Sequence, residues 1–136
     1  MIDFIFLAEH IFWGFDGNLQ DLYNNFNGIG VNAPTYRSPG YNGAGSCLYL
    51  NRSANQSVTV PNPPFLNMSY TSFTFEVWMY AQSFSTGIPY SDSPIFGQNN
   101  QAVTDLLLHM VIRNQRIYFG FCNDDLSGNQ VSERGI

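Results

Sequence analysis

Residues 72–80 read SFTFEVWMY, and they alternate cleanly. Phe73, Phe75, Val77 and Met79 fall on one face, while Ser72, Thr74, Glu76, Trp78 and Tyr80 fall on the other. Successive strand side chains point to opposite sides of a sheet, so this period of two predicts a strand with one apolar face and one mixed polar and aromatic face. A strand in a two-layer sandwich has this character when its outer face is partly covered or used for contact.

Other short segments carry the same signal more weakly. Residues 11–15 (IFWGF) lead into an Asp16-Gly17 turn, 47–50 (CLYL) alternate, and 57–60 (SVTV) place Val58 and Val60 together. Pro61, Pro63 and Pro64 then end the ladder, because proline has no N–H to donate. Residues 81–94 read as a loop with Gly87, Pro89 and Pro94, and 95–98 (IFGQ) as a short strand. Residues 106–112 and 116–121 form a hairpin across the polar turn Arg113-Asn114-Gln115. By contrast 18–46 is so crowded with Asn, Gly, Pro and Ser that it predicts turns and irregular loop throughout. Five to seven short strands with no crossover helices argue for an all-β chain, an antiparallel β-sandwich.

Composition narrows the class. The 136 residues, 44% of them apolar and 16% aromatic, suffice for one core and so for one domain. All 5 basic residues are Arg, against 10 acidic ones, and the formal charge of -5 leaves no basic surface for DNA or RNA. No stretch approaches the roughly 18 apolar residues of a membrane span. The opening MIDFIFLAEHIFW is apolar, but Asp3 stands where a signal peptide carries positive charge, so no signal peptide is evident.

The order of segments resembles the laminin-G-like, concanavalin-A-like jelly-roll domains. HIFWGFDGNLQDLYNNFNG (10–28) is similar to their opening strand and acidic turn, and GAGSCLYLNRSANQSVTVP (43–61) to their second and third strands. SFTFEVWMY resembles their SFT-x-E-x-W strand, and IFGQ with LLLHMVIRNQRIYFGFCNDDLSG (106–128) follows in the same order. The resemblance spans 10–128, leaving 1–9 as an N-terminal extension and 129–136 as a tail. Such domains continue past the hairpin with further strands, so an incomplete jelly roll is expected here. What the resemblance implies is a lectin-like, non-catalytic extracellular or cell-surface module that binds a glycan or an extracellular glycoprotein, with calcium assisting. The alternatives are a structural or adhesive protein-interaction module without sugar specificity, and an inactive or truncated relic of a glycoside hydrolase.

Individual residues carry less than the pattern. Asp16 and Asp21 in the first turn, and Asn123, Asp124 and Asp125 after the last strand, offer oxygen ligands for calcium, or they are simply turn formers and solvated acids. Trp78, Tyr80 and Tyr90 are the candidates to stack on a sugar or anchor a partner, Tyr90 because it lies in a Pro-rich loop. Trp13 and Tyr118 share that chemistry, with packing as the plainer reading for the tryptophans. Cys47 and Cys122 form a disulfide, or serve as two small buried hydrophobes. Asn51, Asn55 and Asn67 open Asn-x-Ser sequons, which fit a secreted glycoprotein. His109 inside LLLHMVI reads as a sheet residue rather than a base, and Glu76 lacks the paired carboxylate of a glycosidase, so no enzyme is expected.

Overall fold

The computed structural model describes residues 10–24, 26–61, 73–84, 92–99, 107–114, 116–121 and 124–125. They are all-β, with antiparallel pairing throughout and one short 3-10 turn at Arg52–Ala54. The chain divides into two compact units, Met1–Met79 and Tyr80–Ile136.

The first unit holds two small sheets. β1 (Ile29–Val31) pairs with β4 (Ser57–Thr59), and β2 (Thr35–Arg37) pairs with β3 (Cys47–Tyr49). In the second pair Tyr36 lies opposite Leu48 on the half-buried side, while Arg37 and Tyr49 sit diagonally on the other. The Arg37 guanidinium lies 3.5 Å from the Tyr49 ring centroid, a cation–π contact across the ladder. Two glycines allow the unit to close. A Cβ at Gly28 would lie 2.6 Å from Val58 Cγ1, and one at Gly30 would lie 2.7 Å from the Pro34 ring, so any larger residue would force the chains apart.

The second unit contains one four-stranded sheet in the order β5 (Ser93–Asn99), β6 (Leu107–Arg113), β7 (Arg116–Phe121), β8 (Asp124–Asp125). β6 lies between β5 and β7, with Leu108, Met110 and Ile112 on one face and Val111 beside His109 and Arg113 on the other, so apolar residues occur on both sides of the strand. Val111 and Ile112 point opposite ways and are each 5% exposed, with Leu108 at 9%. Burying each stabilises the sheet by roughly 2 kcal/mol. The β6–β7 turn is tight: Arg113 faces Arg116, and Asn114 adopts φ +51°, a left-handed conformation that Asn tolerates in hairpin turns. Arg113 also grips Asp92, through Nε to Oδ1 at 2.6 Å and Nη2 to Oδ2 at 2.8 Å, tying the entry of β5 to the end of β6.

Several expectations from the sequence need correction. Residues 73–80 lie in no strand, and Phe73, Val77, Trp78, Met79 and Tyr80 are exposed. Alternation specifies which side chains share a face, but not the regular ladder register that makes a segment a strand. Among the described residues, 11–15 form no strand and contribute the isolated bridge of Trp13 with Asp21. Conversely 18–46 is not all loop, since β1 and β2 lie within it. β5 begins earlier than 95, with Pro94 accommodated next to a bulge between Pro94 and Phe96.

Candidate functional site

The first acidic turn is a densely cross-linked loop. Asp21 is 2% exposed and its Oδ1 accepts the Phe12 N–H at 2.9 Å. The Leu22 N–H returns to the Phe12 carbonyl at 2.8 Å, and the Asp21 N–H donates to Asn27 Oδ1 at 3.0 Å. Farther out, Trp13 Nε1 donates to the Phe26 carbonyl at 2.8 Å and Gly28 N–H to the Leu19 carbonyl at 2.7 Å. Asp21 is not the solvated acid that the sequence allows but the buried clasp of this loop. The signal that could have pointed to it is the density of Asn around it, since short amide side chains satisfy turn backbone.

Asp16 is engaged as well. Its Oδ1 accepts both the Ser46 N–H at 2.8 Å and the Ser46 hydroxyl at 2.9 Å, linking the first turn to the residue before β3. Asn18 closes the turn from the other side by accepting the Gln20 N–H at 2.8 Å. Calcium wants six to eight oxygen ligands. Among the described residues no group of three or more His, Cys, Asp or Glu converges, and Oδ1 of both Asp16 and Asp21 already accepts hydrogen bonds. Asn123 and the side chains of Asp124 and Asp125 lie outside the described residues.

The same loop surrounds an open depression of about 400 Å³. Phe12, Phe15 and Leu22 form its apolar wall, and Asp16, Gln20 and Asn24 its polar rim. Phe15 holds φ +52°, an unfavourable backbone for a bulky residue, and its ring lies nearly parallel to Trp13, 12° apart at 6.4 Å between centroids.

A second feature of this unit is an aromatic platform. Trp78 stacks on Tyr41 with ring centroids 4.9 Å apart and planes 15° from parallel. Stacking usually accompanies burial, yet Trp78 is 77% exposed and Tyr41 72%. Tyr41 was not singled out in the sequence because it sits in a Gly-rich turn far from 72–80. Tyr80, the other aromatic candidate of that segment, is 82% exposed, and Tyr90 lies outside the described residues.

The remaining candidates stand apart from both features. Cys47 is an exposed free thiol, not a buried hydrophobe, and no disulfide occurs among the described residues, Cys122 lying outside them. Asn51 caps the 3-10 turn by accepting the Ser53 N–H at 3.0 Å, Asn55 follows that turn at φ +51°, and both are exposed; Asn67 lies outside the described residues. His109 is half-buried in β6 between Gly97 and Gly120, and Glu76 is exposed. Among the described residues no helix is long and apolar enough to cross a membrane. Comparison with protein-family models, curated proteins and solved structures finds no match to this chain.

Proposed function

We propose that this chain is a non-catalytic, extracellular or cell-surface module, of the laminin-G-like sandwich type, that binds a glycan or a glycoprotein through Tyr41 and Trp78. The stacked and exposed pair carries this reading. The C–H face of a sugar ring packs on an aromatic plane, and a Trp already stacked on a Tyr is held ready without losing its rotamer freedom on binding. The charge of -5 and the lack of lysine favour neutral sugars over sulfated or phosphorylated ones. One observation favours a protein-interaction module instead: Phe73, Val77 and Met79 are also exposed on the same segment.

A glycan array probed with the chain and with Trp78→Ala separates the two. Binding to neutral glycans that weakens about tenfold in the variant supports the proposal. A flat array, with capture of a protein partner that depends on Val77 and Met79, replaces it with the interaction module.

A further inference from the structure

We infer that Asn42 is a site of spontaneous deamidation, and that its conversion releases the Tyr41–Trp78 stack beside it. The inference is independent of what that platform binds. The sequence contains two Asn-Gly pairs, Asn27-Gly28 and Asn42-Gly43. In such a pair the glycine nitrogen reaches the asparagine side chain readily, because no Cβ on the glycine obstructs the approach. At the second pair the Gly43 nitrogen gives up its proton to solvent and bonds to Asn42 Cγ. The Cγ–Nδ2 bond breaks, and the side-chain nitrogen takes up a proton and leaves as ammonia. Water then opens the succinimide ring at either carbonyl, giving aspartate or isoaspartate, and in both cases the glycine nitrogen regains a proton. The sum is water consumed and ammonia released, with no oxidation or reduction.

The two pairs differ in what holds them. The Asn27 side chain is drawn back along the chain, Oδ1 accepting the Asp21 N–H at 3.0 Å and Nδ2 donating to Asn24 Oδ1 at 2.7 Å. The Gly28 N–H donates to the Leu19 carbonyl at 2.7 Å, and a Cβ on Gly28 would lie 2.6 Å from Val58 Cγ1, so the backbone there has no room to turn toward Asn27. The Asn42 side chain is folded forward instead. Its Oδ1 accepts the Ala44 N–H at 3.1 Å, an Asx turn that brings the amide around the intervening Gly43 peptide and polarises its carbonyl. The Gly43 N–H donates to the Gly40 carbonyl at 3.0 Å within the same exposed turn, and a local surface bond of this kind opens at small cost. Gly43 holds φ +82°, and nothing lies within 4 Å of the place its Cβ would take, so ring closure meets no packing. The turn itself has little slack. The Gly40 N–H donates to the Ala44 carbonyl at 3.0 Å, and a Cβ on Gly40 would lie 2.6 Å from that oxygen. Isoaspartate carries the main chain through the former side chain, adding a methylene and a free carboxylate directly after Tyr41. The contact with Trp78, 4.9 Å between ring centroids, then loses the turn that presents Tyr41.

The test ages the full chain in mildly alkaline buffer, folded and, in parallel, unfolded in urea, and follows both pairs by peptide mass spectrometry. Trypsin cuts after Arg37 and Arg52, which places the pairs in different peptides, and exchange of the amide for an acid registers as a gain in mass. The inference expects the two pairs to convert at similar rates in urea, and Asn42 to convert roughly tenfold faster than Asn27 in the folded chain. Asn42→Gln, whose longer side chain closes the ring far more slowly, should leave that position unconverted. The Trp78 indole N–H resonance should move in step with conversion at Asn42 and hold still in Asn42→Gln aged alongside. The Trp13 indole, bonded to the Phe26 carbonyl, serves as the fixed reference. Conversion of Asn27 as fast as Asn42 in the folded chain would overturn the site, as would a folded chain in which neither converts. Conversion at Asn42 with an unmoved Trp78 resonance would overturn the release of the stack, and so would an equal drift of that resonance in Asn42→Gln.

Discussion

In residues 10–61 the buried side chain is a carboxylate, Asp21, whereas in the sheet around β6 the buried apolar side chains are Leu108, Val111 and Ile112. The first region is organised by hydrogen bonds from side chains to backbone, each with a definite direction and a net worth of about 1 kcal/mol. The second depends on removing apolar surface from water, which is non-directional and tolerates small shifts in position. The difference matters for function. A loop held by directional bonds can leave aromatic rings exposed and still in place, as Phe12 and Tyr41 are here, while Trp13, Phe15, Phe26, Tyr36 and Tyr49 are half-buried. A sheet held by apolar burial has to hide them.

The comparison is broken most directly in β6. Ile112→Ala should lower stability by about 3 kcal/mol through the cavity it leaves, read as faster hydrogen exchange at the β5–β7 amides. If amides in residues 11–31 lost protection equally, the two regions would unfold as one and the contrast would fail. Asp21→Ala should cost about 2 kcal/mol, because the Phe12 N–H loses a charged acceptor within a half-buried loop. Faster exchange at Phe12 and Leu22, with β6 unaffected, is the expected pattern; unchanged exchange there would mean that the carboxylate does not organise the loop.

The smallest effect sharpens the contrast by placing an ion pair in the apolar region. Asp92→Asn should cost about 1 kcal/mol, since Arg113 keeps its packing against Tyr118 and loses only part of a partly exposed pair. The Arg113 hydrogen bond, aided by its charge and that of His109 and opposed by burial, holds the Asp92 carboxyl below its usual pKa. A depressed carboxylate pKa contributes stability above the unfolded-state value, lost as pH falls through the lower folded value. Wild type and Asp92→Asn should therefore differ at neutral pH and converge in acid. A gap that persisted in strong acid would assign the effect to packing.

The sequence was most readable where local pattern and partner coincided. The runs read at 47–50, 57–60, 106–112 and 116–121 contain β3, β4, β6 and β7, each with a partner in its sheet, while the turn expected from Arg113 begins at Asn114, Arg113 itself closing β6 opposite Arg116. Residues 72–80 have the strongest alternation, yet 73–80 form no strand, since alternation alone does not specify the register of a ladder. β1 and β2 were hidden for the opposite reason. Each has three residues, separated by Asn32 and Ala33 at positive φ and by Pro34, so turn chemistry dominates any window long enough to show a period. At the candidate site the sequence reads Trp78 as a packing residue or a stacking aromatic, Asp16 with Gly17 as a turn pair and Asp21 as a solvated acid, with calcium ligation the alternative for both acids. Their actual partners, Tyr41, Ser46 and the Phe12 amide, are 37, 30 and 9 residues away, beyond what local spacing can convey.

The bulge beside Pro94 has a consequence for the protein in concentrated solution. β5 is the terminal strand of its sheet in the described structure, and a terminal strand with unbroken backbone invites another chain to extend the ladder. Pro94 withholds one donor and the irregularity before Phe96 interrupts the spacing, so a would-be neighbour meets an edge it cannot follow for long. Among the described residues, that side of the sheet presents an interrupted rather than a continuous template.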